Sequence, residues 1–185
     1  MKKVFLIRHG LPDFPEGKRM CLGITDLPLG PEGFLQAKAM AQTLPEVTMV
    51  FSSPLIRSVQ TAEAIGQTVT VLPGLRELYA GEWDGLTFDE IKVRFPELYA
   101  ARGTVRNLPL PGAEDHDEGL IRFRRAMEEA ARQAPGDFAV VAHGGVIGEL
   151  LKDITGQWRK PGYTEVIPLV WENGQFRVTE EEIYA

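Results

Sequence analysis

The chain has 185 residues, 44% of them hydrophobic and 25% charged, with 20 Lys and Arg against 26 Asp and Glu for a formal net charge of −6. One domain of that length with that apolar content can bury a core, which excludes a mainly disordered chain. The negative balance offers no general field for a polyanion. Nucleic acid and anionic membrane are therefore excluded as main partners, and an anionic ligand needs a local cluster of cations.

Val4-Phe5-Leu6-Ile7 reads as a short buried strand that stops at Arg8; it is too brief for a secretory signal or a membrane span. Cys21 is the only cysteine and the three His form no spaced pair, so neither a disulfide framework nor a metal site is expected. The expectation is a cytoplasmic protein with no metal and no cofactor. Gly10 to Gly30 is a long polar loop of the kind usually kept for function. Phe34, Ala37, Met40, Ala41 and Leu44 then recur at helical spacing, and Val47 to Phe51 reads as a second strand. Ser52-Ser53-Pro54 predicts a helix start, with Ser53 as N-cap and Pro54 at the first helical position. Leu55, Val59, Ala62 and Ile65 give that helix its buried stripe, and Val69 to Leu72 reads as a third strand.

From Leu75 to Glu114 the pattern weakens to a short helix over Asp89 to Phe95 and a loop over Asn107 to Gly112. Leu120, Phe123, Met127, Ala130 and Ala134 mark a long helix. Phe138 to Ala142 is a central strand that enters another helix through His143-Gly144-Gly145, with Val146, Ile147, Leu150, Leu151 and Ile154 on its apolar side. Val166 to Trp171 and Phe176 to Thr179 read as closing strands around an Asn173-Gly174 turn. Strands alternating with helices argue for a layered α/β sheet, largely parallel, whose ligands sit beyond the strands' carboxyl ends. Arg8-His9-Gly10, Ser52-Ser53 leading to Arg57, and His143-Gly144-Gly145 all fall at such ends; Arg76-Glu77 follows the third strand.

The chemistry of those groups points one way. A phosphoryl group in transfer spreads charge over three oxygens and needs cations and aimed donors. Arg8 and Arg57 can offer forked guanidinium contacts, the Gly144 and Gly145 amides at a helix start suit an anion, and a neutral imidazole is a competent nucleophile near neutral pH. Leu6-Ile7-Arg8-His9-Gly10, Gly23 with Asp26, Ser52-Ser53-Pro54-Leu55 with Arg57, Leu75 with Glu77, Gly112 with Glu114, and His143-Gly144-Gly145-Val146 stand in order along nearly the whole chain. In this the sequence resembles the histidine phosphatase superfamily, the phosphoglycerate-mutase-like group. The resemblance implies a three-layer α/β/α sandwich with a mostly parallel central sheet, one domain over 1–185 with a lid or insert at about 83–112. It implies His9 as the nucleophile that forms a phosphohistidine, His143 as the second His on the transferring group, and Arg8 and Arg57 as its cations. Glu77 is the implied acid/base, with Glu82 as its rival. Gly10, Leu22, Gly23 and Gly144 are the implied substrate-binding positions.

Some positions depart from the family pattern. Leu11 and Pro12 follow Gly10 where Glu and then Ser or Thr are common, Pro15 or Glu16 falls where an Asn is common, and Leu22 replaces a frequent polar residue. Donors are thus lost beside the nucleophile, and Lys18 or Arg19 is the candidate replacement; the alternative is a solvated loop pair. Phe14, Leu11 and Leu22 suggest an apolar rim. His116, within the acidic stretch Glu114 to Glu118, reads as exposed; Glu114 reads as structural or catalytic, and Trp83 as a packing residue. The 83–112 segment is short, with scattered Lys92, Arg94, Arg102 and Arg106, so water should discharge a phosphohistidine. The expected function is a metal-independent phosphatase acting on a small phosphorylated metabolite, in proportions most like small bacterial phosphatases of the α-ribazole-phosphate phosphatase type. A phosphoglycerate mutase and a non-catalytic phosphate-binding module are the alternatives. Nothing in the sequence bears on oligomeric state.

Overall fold

The computed structural model describes residues 1–105 and 108–179. Arg106 and Asn107, which the sequence places in the insert and its loop, lie outside the described residues. In chain order the elements are β1 (Lys2–Arg8), α1 (Pro31–Thr43), β2 (Met49–Ser52), α2 (Ile56–Glu63), β3 (Val69–Val71), α3 (Phe88–Arg94), α4 (Pro96–Thr104), α5 (His116–Gln133), β4 (Phe138–Ala142), α6 (Gly144–Thr155), β5 (Val166–Glu172) and β6 (Gln175–Val178).

Period-two alternation explains how a strand of four apolar residues serves two cores. Val4 and Leu6 of β1, with Phe138, Val140 and Ala142 of β4, pack against Phe123 and Met127 of α5 and Ile147 and Leu150 of α6. Phe5 and Ile7, with Ala139 and Val141, pack on the opposite side against Met40 of α1 and Ala62 of α2. Helices thus cover both faces of one sheet, the three-layer α/β/α arrangement. The strand order is β3-β2-β4-β1-β5-β6. β1, β2, β3 and β4 are mutually parallel, while β5 runs antiparallel to β1 and β6 antiparallel to β5. The β5–β6 turn places both Asn173 and Gly174 at positive φ, 52° and 76°, as a two-residue hairpin turn demands. Among the described residues no helix is long and apolar enough to cross a membrane.

Register sets up the site. Arg8 pairs with Ala142 and Ser52 with Val141, so β1, β2 and β4 all end at one edge of the sheet. His9, Ser53 and His143 are the next residues of those three strands.

Two local expectations change. α2 begins at Ile56, not at Pro54, and its first-turn amide at Ile56 donates to Asp26 Oδ1 at 2.7 Å. Ser53 is therefore not the helix's N-cap; its hydroxyl is 2.6 Å from His143 Nε2 and accepts from the Leu55 amide. A second helix, α4, follows α3 after the break at Phe95-Pro96, where the sequence carries too weak a stripe to announce it. α3 and α4 close a small third core around Trp83, Ile91 and Leu110, which bears out Trp83 as a packing residue.

Candidate active site

His9 leaves β1 with its amide hydrogen-bonded to Ala142 O and its ring almost fully covered. Nδ1 lies 2.7 Å from the Gly10 carbonyl oxygen. A carbonyl only accepts, so Nδ1 carries the proton and Nε2 keeps the lone pair. Gly10 is held in turn by Thr61, whose Oγ1 accepts from the Gly10 amide at 3.0 Å; a Cβ at Gly10 would stand 2.7 Å from Gly33 O. The close approach of α1 behind the His9 loop therefore needs glycine.

His143 stands beside it, ring centroids 5.1 Å apart. Burial is the main force holding both imidazoles neutral, well below the usual histidine range, and the Arg57 guanidinium adds to it. For His9 the hydrogen bond to Gly10 O works the other way but does not prevail.

Arg8 and Arg57 bring the cations. Arg8 donates from Nη1 to Pro161 O at 2.8 Å, and its guanidinium carbon lies 3.8 Å from the centre of the Tyr163 ring. Arg57, 1% exposed, donates from Nη1 to Thr25 O at 2.8 Å and from Nη2 to Gly23 O at 3.1 Å. Nε of each arginine and Nδ1 of His143 are buried polar atoms with no partner among the described residues. Such atoms are rare away from sites that receive a ligand.

Glu77 occupies the start of α6. Its Oε2 accepts from the Gly145 amide at 2.8 Å, and Oε1 from the Val146 and Leu78 amides at 2.9 Å each. This alters one expectation: the Gly145 amide holds a carboxylate of the chain itself, where the sequence suggested a ligand anion. Behind Glu77, Glu114 is gripped by Arg76 and Arg122 and accepts from the Tyr79 amide. Burial raises the Glu114 pKa, but the hydrogen bonds from Arg122 and Arg76 outweigh it and hold the carboxyl at about 2. Arg122 also donates to Gly74 O and Arg76 O. Glu114 is thus the structural clamp under the Glu77 backbone. Glu82, the rival acid, is exposed and lines neither cavity described next.

Two cavities meet at this point. The smaller, about 270 Å³, is walled by Arg8, His9, Gly144, Arg19, Phe14 and Tyr163 among others. The larger, about 520 Å³, runs past Trp83 and Leu110 to His116 and Glu149. Leu22, Glu77, Phe88 and Lys160 line both. Arg57, His143, Gly10 and Gly23 line neither: they lie behind the wall, with Gly10 holding His9 and Gly23 holding Arg57. Leu22 and Phe14 form the apolar rim that the sequence suggested; Leu11 does not reach it. Lys18 is ion-paired with Glu16 on the surface, whereas Arg19 faces the smaller cavity.

Sequence reasoning missed Lys160 and Tyr163. Both precede β5, which runs antiparallel to β1 and so begins where β1 ends. The only signal was a Pro-Gly turn, Pro161-Gly162, before a strand. His116 was expected to be exposed; its ring is instead hydrogen-bonded to Glu149.

A glucosyl-3-phosphoglycerate phosphatase from Mycolicibacterium vanbaalenii is 31% identical over 171 residues, which cover 84% of this chain and 75% of the relative. The solved structure of a mycobacterial glucosyl-3-phosphoglycerate phosphatase with VO3 matches at a TM-score of 0.83 and 28% identity, over 97% of this chain and 98% of the other. The α-ribazole phosphatase of Shigella flexneri matches at a TM-score of 0.80 over 96% of this chain and 94% of its own, with 20% identity, a likeness of fold alone. The model of the histidine phosphatase superfamily (branch 1) matches residues 4–182. The chain belongs to the histidine phosphatase superfamily.

Proposed function

We propose that the protein is a metal-independent phosphomonoesterase that turns over through a phosphohistidine on His9. The observation that carries this reading is the His9 ring itself. Its Nδ1 proton is tied to Gly10 O, so Nε2 is a lone-pair donor in a covered site beside two guanidinium groups and a second imidazole.

In the first step Nε2 attacks phosphorus while the ester P–O bond breaks, and the Glu77 carboxylate passes the proton of the phosphate monoanion to the departing alkoxide oxygen. Charge on the phosphoryl oxygens is met by Arg8 at the cavity wall and by Arg57 behind it. His143, its ring 5.1 Å from that of His9, contributes a neutral imidazole beside the reacting nitrogen. In the second step Glu77 takes a proton from water, the water oxygen attacks phosphorus, and the P–N bond breaks. Inorganic phosphate leaves with that proton, and both side chains return to their starting states.

The relatives' names support phosphatase activity on small phosphorylated metabolites. The test is phosphate release from a panel of phosphomonoesters with EDTA present and His9→Ala alongside. Release that withstands EDTA and falls by about 10³ or more in the variant is the expected result. Release that EDTA abolishes, or that survives the loss of His9, contradicts the proposal.

A further inference from the structure

The larger cavity holds a carboxylate–imidazole pair that hydrolysis at His9 leaves unused. Glu149 lies on the buried side of α6, its side chain 6% exposed, and its Oε1 is 2.9 Å from Nδ1 of His116 in the first turn of α5. A carboxylate in that position carries a desolvation cost that pairing offsets. It also fixes the imidazole: the carboxylate accepts at Nδ1, which leaves Nε2 of His116 without a protein partner among the described residues. Both side chains line the cavity that Glu77 shares.

Their place along α6 sets what they can touch. Glu77 binds the Gly145 amide at the start of the helix. Glu149 is four residues on, on the same side and about 6 Å further along the axis. An alcohol leaving from Glu77 would bring a substituent two or three carbons from its ester oxygen to His116.

Charge decides what that substituent is. Asp115, Asp117 and Glu149 share this wall with His116; of the cations that line the cavity, Arg102 sits over the Trp83 ring and donates to Leu108 O at 2.5 Å, and Lys160 stands on the side shared with the His9 cavity. A carboxylate or second phosphate here would meet anions. A neutral hydroxyl can exchange a hydrogen bond with Nε2, and the CH face of its carbon skeleton can lie on Trp83 and Leu110. Building on the phosphatase reading above, we propose that His116, positioned by Glu149, is a specificity-determining residue that reads a hydroxyl of the leaving alcohol. The preferred substrates are then monophosphates of neutral polyhydroxy alcohols, over esters that carry a carboxylate at that position.

The experiment measures kcat and KM for a hexose monophosphate, for 3-phosphoglycerate and for p-nitrophenyl phosphate. The intact protein, His116→Ala, His116→Gln, Glu149→Gln and His9→Ala are compared. The intact protein should favour the hexose ester over 3-phosphoglycerate at least tenfold in kcat/KM. In His116→Ala the ratio of kcat/KM for the hexose ester to that for p-nitrophenyl phosphate should fall at least tenfold, mostly through KM. His116→Gln, whose amide oxygen can accept in place of Nε2, should recover part of that ratio, and Glu149→Gln should lower it less than His116→Ala does. Because the ratio cancels the active fraction, partial misfolding of a variant does not imitate the effect. An unmoved ratio, or a preference for 3-phosphoglycerate, overturns this inference alone when hydrolysis still depends on His9. Hydrolysis of none of the three esters, or hydrolysis that survives in His9→Ala, overturns the phosphatase reading together with it.

Discussion

The cavity at His9 and the cavity beside it are built by different means. Around His9 the groups at the sheet edge are set by backbone: three parallel strands end in register, and the next residue of each is His9, Ser53 or His143. The neighbouring cavity is set by side chains on loops and helices of separate origin, with Trp83, Leu110, His116 and Trp158 brought together by tertiary packing. A sheet edge holds its groups to the tolerance of its hydrogen-bond ladder, which suits a reaction that needs fixed geometry. Loop-borne walls can change without disturbing that edge, which suits recognition of a leaving group.

If that division is right, damage at the sheet edge should cost catalysis and damage in the loops should change selectivity. Arg57→Lys should have the largest effect, a fall of about 10² or more in kcat/KM. The charge remains, but the fork that ties Arg57 to Gly23 and Thr25 behind His9 is lost. A fall under about threefold in steady-state assays would place Arg57 outside the reacting site.

The two covered imidazoles give a second test, in stability. Both are held neutral well below 6.5 by burial. As pH drops below about 6.5 the unfolded chain takes up two protons that the folded chain refuses, so unfolding free energy must fall with pH. The limiting slope is about 2.7 kcal/mol per pH unit for two such groups. Denaturant titrations between pH 6.5 and 5.5, above the carboxylate range, should show this decline, and His143→Gln should show about half of it. Equal slopes in the two proteins would mean that His143 is not held neutral.

Gly145→Ala addresses the junction between the cavities. A Cβ there would lie 2.6 Å from Glu77 Oε1, so the carboxylate must leave its seat on the α6 amides. About a tenfold to hundredfold loss in kcat/KM is expected, comparable across leaving groups. A loss confined to one class of substrate would move Glu77 to the recognition side. The smallest effect should come from Arg19→Ala. Arg19 is exposed on the rim of the smaller cavity, so KM should rise about threefold at low salt and hardly at all at high salt. A change in kcat would show that Arg19 does more than attract an anion.

The same division explains what the sequence made readable. β1 and β4 carry short, fully apolar runs that end in Arg8-His9 and His143-Gly144, and a parallel sheet places such ends together, so the sheet edge could be read from local pattern. The motif singles out Glu77 as the implied acid/base, but not its seat on the Gly145 and Val146 amides, because residues 68 and 69 positions apart are joined only by the packing of a loop on a helix start. The His116–Glu149 pair spans 33 positions with neither residue in a recognisable context. Lys160 and Tyr163 reach the site only because β5 is antiparallel, a direction that an apolar stretch does not encode. Ser53 gave a misleading signal: Ser before Pro looks like a helix cap, yet its hydroxyl serves His143, and Asp26 caps the helix from another loop.

The central claim is a covalent bond between phosphorus and one nitrogen. Rapid quenching of the protein with a 32P-labelled phosphomonoester, followed by peptide mapping, tests it most directly. The account predicts acid-labile, base-stable label approaching one per chain on the peptide that contains His9, and none in His9→Ala. Steady turnover without label on His9, or label on any other side chain, would contradict it.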